Sequence, residues 1–105
     1  MAKDTYVKRS RIHGRGLFAR RRLTRGRFIG SYEGRPTRRN GRYVLWIPGN
    51  NGALEGIHGT GPLRYVNHSP RPNATFYGPH LFSLRRIAPH EEITIDYGDE
   101  WGDVA

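Results

Sequence analysis

The segment Arg64-Tyr65-Val66-Asn67-His68-Ser69-Pro70-Arg71-Pro72-Asn73 is the most informative stretch of this 105-residue chain. It joins a tandem Asn-His to two prolines, and its apolar content is too low for a helix or a strand. Each proline fixes its own φ angle and moves the preceding residue out of the α region, so the sequence predicts a held loop. Polar groups held in one geometry suit a binding site better than a hydrophobic core.

The length and composition predict one domain, spanning residues 1–105, that buries roughly 60–68 % of its unfolded surface. A hydrophobic content of 35 % and 14 glycines favour a loop-rich β protein. The absence of cysteine excludes disulfides and thiol nucleophiles and is typical of a reducing compartment. No apolar run approaches the ~20 residues of a membrane span, and no signal-peptide core follows Met1. We therefore expect an intracellular protein, in a bacterial cytoplasm or nucleoid or in a nucleus, without membrane contact.

The net charge of +9 is unevenly distributed along the chain. Residues 1–42 carry 14 Lys and Arg against two acids, whereas residues 43–105 carry four Arg against seven acids. The basic half is typical either of contact with nucleic acid or an acidic partner, or of a solvated arginine-rich surface. The acidic end would attract a cationic substrate or form a solvated tail.

Short apolar runs separated by glycine or proline predict strands rather than helices. No segment holds a 3.6-residue apolar period for three turns, so helix is expected only as single turns at Arg20–Arg25 and Pro62–Val66. The predicted strands are Thr5–Lys8, Gly16–Ala19, Arg27–Tyr32, Tyr43–Ile47, Ala74–Tyr77, Leu81–Ile87 and Ile93–Ile95. The sequence therefore predicts a mostly β domain with one or two short helical turns.

Four short motifs carry candidate functional residues, and each one alone is also explained by a structural role. The glycines of Gly14–Gly16 let a ligand approach backbone amides, but a hairpin turn needs them equally. Tyr32 ends one predicted strand and Tyr97 lies at the end of another, where a tyrosine either lines a cleft or covers the core. Asn67-His68 offers amide and backbone groups that can read a heteroaromatic edge. None of the other histidines lies at a sequence spacing from His68 that is typical of metal ligands, so we expect no bound metal.

The order and spacing of these motifs closely resemble the SET-domain family of protein lysine methyltransferases. The matching elements are Gly-x-Gly-Leu-Phe, Tyr-x-Gly, Arg-Tyr-x-Asn-His-Ser-x-x-Pro-Asn and Glu-Glu-x-Thr-x-Asp-Tyr-Gly. The resemblance as a whole runs from about residue 5 to Trp101. The short length is similar to that of the small viral and bacterial SET proteins. The resemblance implies a SET-type β-clip fold of small antiparallel sheets. It also implies a C-terminal pseudoknot, in which the end of the chain passes beneath a loop near the Asn-His strand.

The resemblance further implies that S-adenosylmethionine binds on one face and a lysine on the other, joined by a narrow channel. The backbone around Arg15-Gly16, within the glycine loop Gly14–Gly16, would hold the methionine end of the cofactor. Asn67 would bind its amino or carboxylate group, the His68 backbone would read the adenine edge, and Trp101 would lie against the adenine. The implied cofactor-binding residues are Gly14, Arg15, Gly16, Asn67, His68 and Trp101.

Tyr97 and Tyr32 are the implied catalytic residues of the channel, and Ser69 to Asn73 are expected to serve the fold. In many family members a Phe or Tyr two residues before the channel tyrosine limits the number of methyl groups. Here Ile95 takes that position, and Phe76 lies near a second one. Neither side chain carries a hydroxyl, so we expect methylation beyond one methyl group.

The expected partner is a lysine-containing protein, such as a histone, histone-like or ribosomal protein. The basic half adds an expected contact with nucleic acid or nucleoprotein, and the small size of the domain suggests a homodimer. The main alternative is a non-catalytic SET-like module that binds nucleic acid or an acidic protein through its basic half. A small ribosomal-type β-barrel fits the charge and length, but it leaves the Asn-His loop unexplained.

Overall fold

The computed structural model describes residues 4–49 and 51–97, and short strands make up nearly half of this part. A 3₁₀ helix, η1, covers Pro62–Tyr65. Within the described residues, no helix is long and apolar enough to cross a membrane. The strands are β1 Thr5–Arg9, β2 Arg15–Ala19, β3 Phe28–Ser31, β4 Gly34–Thr37, β5 Val44–Pro48, β6 Leu54–Gly59, β7 Asn67–His68, β8 Ala74–Tyr77, β9 His80–Ser83 and β10 Glu92–Ile95.

The strands form three small sheets with the orders β1-β2-β10-β7, β3-β9-β8 and β4-β6-β5. In the four-stranded sheet β10 pairs antiparallel with β2, where Ile93 lies opposite Leu17. On its other side β10 pairs parallel with β7, where Thr94 lies opposite Asn67. The predicted mostly β architecture of small sheets is therefore confirmed, and the last described strand is joined to the Asn-His segment.

The three sheets share one hydrophobic core. Alternate residues of the strands point inward, as the period of two in a β-strand requires. Residues with at most 1 % of their surface exposed include Leu17, Leu23, Leu45, Leu81, Ile87 and Ile93. The outward residues of the same strands are mostly polar or aromatic, so the apolar alternation seen in the sequence reports the true inner faces.

The segment predicted as a held loop is partly a strand, and it binds β10 at two places. At its start, the backbone N–H of Ser69 donates to the carbonyl of Ile95 at 2.9 Å. At the end of the segment, the side-chain amide of Asn73 pairs with the backbone of β10 as a neighbouring strand would. Its Nδ2 donates to the carbonyl of Glu92 at 2.8 Å, and its Oδ1 accepts from the N–H of Thr94 at 2.8 Å. These contacts fix the register of β10 and agree with the predicted structural role of Asn73.

Several predicted boundaries are wrong. β9 ends at Ser83 rather than at Ile87, because Ile87 leaves the sheet and forms an isolated bridge with Leu23. That bridge also replaces the helical turn expected at Arg20–Arg25. β4 and β6 were not predicted, since neither shows apolar alternation. Pro36 is tolerated in β4 because an edge strand needs only one row of hydrogen bonds. The turn predicted at Pro62–Val66 is confirmed as η1.

Candidate active site

Asn67 joins the glycine loop to the Asn-His strand. Its side chain is buried, and Nδ2 lies 3.1 Å from the carbonyl oxygens of both His13 and Arg15. The same nitrogen lies 2.9 Å from Oε2 of Glu92. These three acceptors assign the orientation of the amide. The sequence-predicted residues Gly14 to Gly16 and Asn67-His68, which are about fifty positions apart, are therefore held in one place.

Glu92 forms the floor of this junction. Its carboxylate accepts from Ser10 Oγ at 2.8 and 2.9 Å and from Asn67, yet it forms no ion pair within residues 4–49 and 51–97. A Cβ on Gly16 would overlap the Glu92 carboxylate, so a side chain at this position requires that carboxylate to move. Gly14 has a φ of 46°, and its open side faces free space. The loop therefore presents bare backbone beside a half-buried negative charge.

The backbone of His68 faces an open sheet edge. β7 is the last strand of its sheet, and the N–H of Ser69 points toward β10. Because successive residues of a strand direct their backbone groups to opposite sides, the N–H and C=O of His68 point away from β10. The His68 side chain turns back instead, and its Nδ1 accepts the N–H of Tyr97 at 3.0 Å. The same nitrogen lies 3.7 Å from Oδ1 of Asp96.

Tyr32 and Tyr97 place their hydroxyl groups on backbone carbonyls. The Tyr32 hydroxyl donates to the carbonyl of Tyr43 at 2.6 Å, and that of Tyr97 donates to the carbonyl of Val66 at 2.9 Å. Burial raises the pKa of Tyr32 well above its ordinary value, and the nearby Tyr97 hydroxyl adds to the rise. Burial likewise raises the pKa of Tyr97, and Tyr43 adds to it. Both hydroxyls therefore stay protonated over the physiological range.

Tyr43 belongs to this cluster, although the sequence indicated only a strand residue there. Its φ of 66° is rare outside glycine and identifies a residue that tertiary contacts hold in place. Its carbonyl accepts both the Tyr32 hydroxyl and the N–H of Gly59, and its ring packs against Tyr65 at 5.8 Å. The one available signal was an aromatic residue directly after Gly41-Arg42, at the boundary between loop and strand.

Phe76 and Ile95 lie in the buried cluster that also contains Tyr32. The Phe76 ring meets the Tyr32 ring edge-on at 5.8 Å. Trp101 lies outside the described residues. Among the residues that are described, no group of three His, Cys, Asp or Glu side chains could hold a metal ion. The site thus consists of a bare loop, an open strand edge, an anionic floor and a set of tyrosine hydroxyls.

Comparisons with known proteins show the family and the fold. The SET-domain family model matches residues 14–98. The chain is 32 % identical over 113 residues to human histone-lysine N-methyltransferase 2B. That alignment covers 87 % of this chain and 4 % of the human protein. The methyltransferase domain of human histone-lysine N-methyltransferase SETMAR superposes with a TM-score of 0.78 at 22 % identity, covering 92 % of this chain and 45 % of that one.

A third match is ctPRC2, the Polycomb Repressive Complex 2 of Chaetomium thermophilum, in an autoinhibited conformation bound to S-adenosylmethionine. It superposes with a TM-score of 0.80 at 21 % identity, covering 98 % of this chain and 16 % of that one. The family model and the fold together define a SET domain. The chain belongs to the SET-domain family, and it spans only a small part of the length of the human 2B enzyme.

Proposed function

We propose that this protein transfers a methyl group from S-adenosylmethionine to the side-chain amine of a lysine in a protein substrate. The observation that carries the proposal is the junction at Asn67, which holds the glycine loop, the open edge of His68 and the strand leading to Tyr97 together. Family membership supports it, since the human relative is a histone-lysine N-methyltransferase. A SET-fold neighbour bound to S-adenosylmethionine supports the choice of cofactor.

The groups present suit each end of this cofactor. The outward N–H and C=O of His68 can pair with the edge of an adenine. The amides of Gly14 to Gly16 can hold a carboxylate, because bare backbone allows close approach. The unpaired charge of Glu92 suits the cationic amino group and sulfonium, and the oxygen of Asn67 can accept from that amino group. We also assign Trp101 to the adenine face.

The channel residues would prepare the lysine for attack. A lysine amine has a solution pKa of about 10.4 and attacks only when neutral. A dry channel disfavours the ammonium form by desolvation, and a cationic cofactor adds like-charge repulsion. Because Tyr32 and Tyr97 already donate to carbonyls, their oxygen lone pairs can accept from the amine and orient it. When bound, S-adenosylmethionine supplies the electrophilic methyl group. The rate gain comes from alignment and electrostatics.

The test joins cofactor binding to methyl transfer. We expect the parent protein to give a calorimetric signal with S-adenosylmethionine and to label histones, histone-like or ribosomal proteins with a labelled methyl group. Gly16→Ala should weaken cofactor binding at least ~10-fold, since its Cβ displaces the Glu92 carboxylate. Gly41→Ala is the matched control, because a Cβ there meets nothing within 4 Å. The proposal would be contradicted if the folded parent gave no calorimetric signal with S-adenosylmethionine and labelled no protein.

Product analysis tests the channel lining. Since neither Ile95 nor Phe76 carries a hydroxyl, we expect the parent protein to add more than one methyl group to a good peptide. Phe76→Tyr places a hydroxyl beside Tyr32, where it can hold a water or the amine, and should shift products toward monomethyl-lysine. Phe82→Tyr makes the same change away from the site and should leave products unaltered. Mass spectrometry measures the distribution; a parent that stops at one methyl group refutes the prediction.

The non-catalytic alternative draws on the basic half of the chain, which carries 14 Lys and Arg within residues 1–42. It predicts a salt-dependent affinity for nucleic acid together with no calorimetric signal for S-adenosylmethionine. We propose the enzyme instead, because a module of that kind needs neither the open backbone at His68 nor the tyrosine cluster. Homodimer formation also remains a proposal, which sedimentation would test.

A further inference from the structure

The outer face of the β3-β9-β8 sheet carries a row of three aromatic rings, of which two are exposed and one is half-buried. Phe28 packs edge-on against Phe82 at 5.6 Å, and Tyr77 packs against the same ring at 5.7 Å. Phe28 is 50 % exposed and Tyr77 is 67 % exposed. Because strand residues alternate between faces, Phe76 points into the core and Tyr77 away from it. The aromatic face, defined as Phe28, Tyr77 and Phe82, is therefore on the opposite side of its sheet from Phe76 and the core.

A shallow cavity of about 380 Å³ opens beside the aromatic face. Its lining is mostly apolar and includes the exposed side chain of Leu84. The lining residues are Gly26, Thr75, Tyr77, Phe82, Ser83 and Leu84. A flat ring system could rest here against Tyr77 and Phe82 without any change in the sheet.

The chain next to this face is basic, and we call the exposed Arg25 and Arg86 its rim. The N–H of Gly26 donates to the carbonyl of Ser83 at 3.0 Å, and the N–H of Ser83 donates to the carbonyl of Arg27 at 2.9 Å. These bonds place the turn around Arg25 beside the chain that continues to Arg86. Both arginines are exposed, and neither forms an ion pair within the described part of the chain.

The aromatic face also lacks negative charge in the sequence that builds it. Its three strands, β3, β8 and β9, contain no Asp or Glu. The neighbouring acids are each paired with arginine, Asp4 with Arg21 and Arg27 and Glu91 with Arg85. Like-charged rims would oppose each other if two copies met across a two-fold axis, so a second copy of this chain is a poor occupant. A polyanion with flat, apolar bases matches both the rim and the rings.

We propose that the aromatic face binds single-stranded nucleic acid. Bases would stack on Phe28, Phe82 and Tyr77, while phosphates would lie against Arg25 and Arg86. Base–aromatic stacking tolerates any sequence, because every base has a π-face. Neither stacking nor phosphate contact reads the sugar, so DNA and RNA strands should bind alike. The proposal is independent of methyl transfer.

Fluorescence anisotropy with labelled 20-mers of oligo(dT) and oligo(rU), and with a 20-base-pair duplex, tests it. We expect the single strands to bind more tightly than the duplex. Tyr77→Ala should weaken single-strand binding about 10-fold with little change in salt dependence, whereas Tyr77→Phe should bind like the parent. Arg25→Ala and Arg86→Ala should each reduce the slope of log K against log salt by about 0.7. Leu54→Ala is the control, since Leu54 is 62 % exposed on another sheet.

Three outcomes would overturn the proposal. Unchanged binding by folded Tyr77→Ala and Phe28→Ala would mean that general basic charge carries the affinity. Equal binding of duplex and single strand would exclude stacking. If the parent sediments as a dimer, and Tyr77→Ala and Phe28→Ala lose that dimer but keep their affinity for the oligonucleotides, the face would be assigned to a second copy. Photocrosslinking of 5-iodouracil-substituted oligo(dT) to Tyr77 or Phe82, mapped by mass spectrometry, would support the proposal directly.

Discussion

Tyr97→Phe is expected to lower kcat for methyl transfer by about 10²–10³-fold while cofactor affinity changes little. The variant removes one hydroxyl, which donates to the carbonyl of Val66 at 2.9 Å and so fixes the direction of its own lone pairs. Without it, the proposed channel loses an acceptor that orients the amine. The loss falls on the rate because alignment matters most in the transition state.

The rest of the Tyr97 environment should survive the change. Its ring packs against His68 at 5.2 Å, and its backbone N–H binds His68 Nδ1; neither contact involves the hydroxyl. Burial raises the pKa of Tyr97, so the parent hydroxyl is protonated at neutral pH and the comparison is not complicated by ionisation. The variant therefore separates the hydroxyl from packing.

The measurement is the initial rate of labelled-methyl transfer at saturating cofactor, together with calorimetric affinity and a melting curve. Tyr77→Phe is the matched control, since it makes the same change at an exposed tyrosine outside the channel. A Tyr97→Phe protein with parental kcat would remove Tyr97 from its proposed role. The remaining candidates would then be Tyr32 and Tyr43, whose contacts place them in the same cluster.

The parts of the fold that the sequence predicts well are those with local signals. β10 alternates polar and apolar residues, and β2 is an apolar run that is buried along most of its length. The positions of Leu17 and Ile93 in the core could therefore be read from the sequence pattern alone. The convergence of Gly14–Gly16 with Asn67-His68 came from the order of motifs and not from local physics. Family resemblance supplied what no window of ten residues contains.

The features that the sequence did not predict depend on partners far along the chain. β6 forms a strand because β4 pairs with one of its edges and β5 with the other. The glycines within β6 by themselves disfavour strand structure. The φ of Tyr43 follows from contacts with Tyr32 and Gly59. Glu92 meets Ser10 across 82 positions, so no spacing rule could show that its carboxylate lies under the glycine loop. Tertiary contacts decided each of these.

Asn73→Ala is expected to reduce the free energy of unfolding by about 3 kcal/mol. Asn73 is 2 % exposed, and its amide satisfies the carbonyl of Glu92 and the N–H of Thr94. Alanine leaves both groups without their partners in a region with little access to water. An unsatisfied buried polar group costs roughly 1–3 kcal/mol, so two such groups make this a severe change for a small domain.

Denaturant unfolding followed by circular dichroism measures the loss. Asn51→Ala is the control: Asn51 is exposed, and its Oδ1 accepts only the loop N–H of Ala53 at 3.1 Å, so the cost should stay within about 1 kcal/mol. A parental unfolding midpoint for Asn73→Ala would show that water replaces the amide and that the contact does not hold β10.

The same variant should impair the site before it unfolds the protein. β10 runs directly from the Asn73 contact to Tyr97, and Asn67 lies opposite Thr94 on the neighbouring strand. Loosening that register moves Glu92 relative to Asn67 and Tyr97 relative to His68. We therefore expect Asn73→Ala, at temperatures where it remains folded, to weaken cofactor binding and to lower kcat together. Tyr97→Phe, in contrast, should lower kcat alone, so the two variants separate the support of the site from its chemistry.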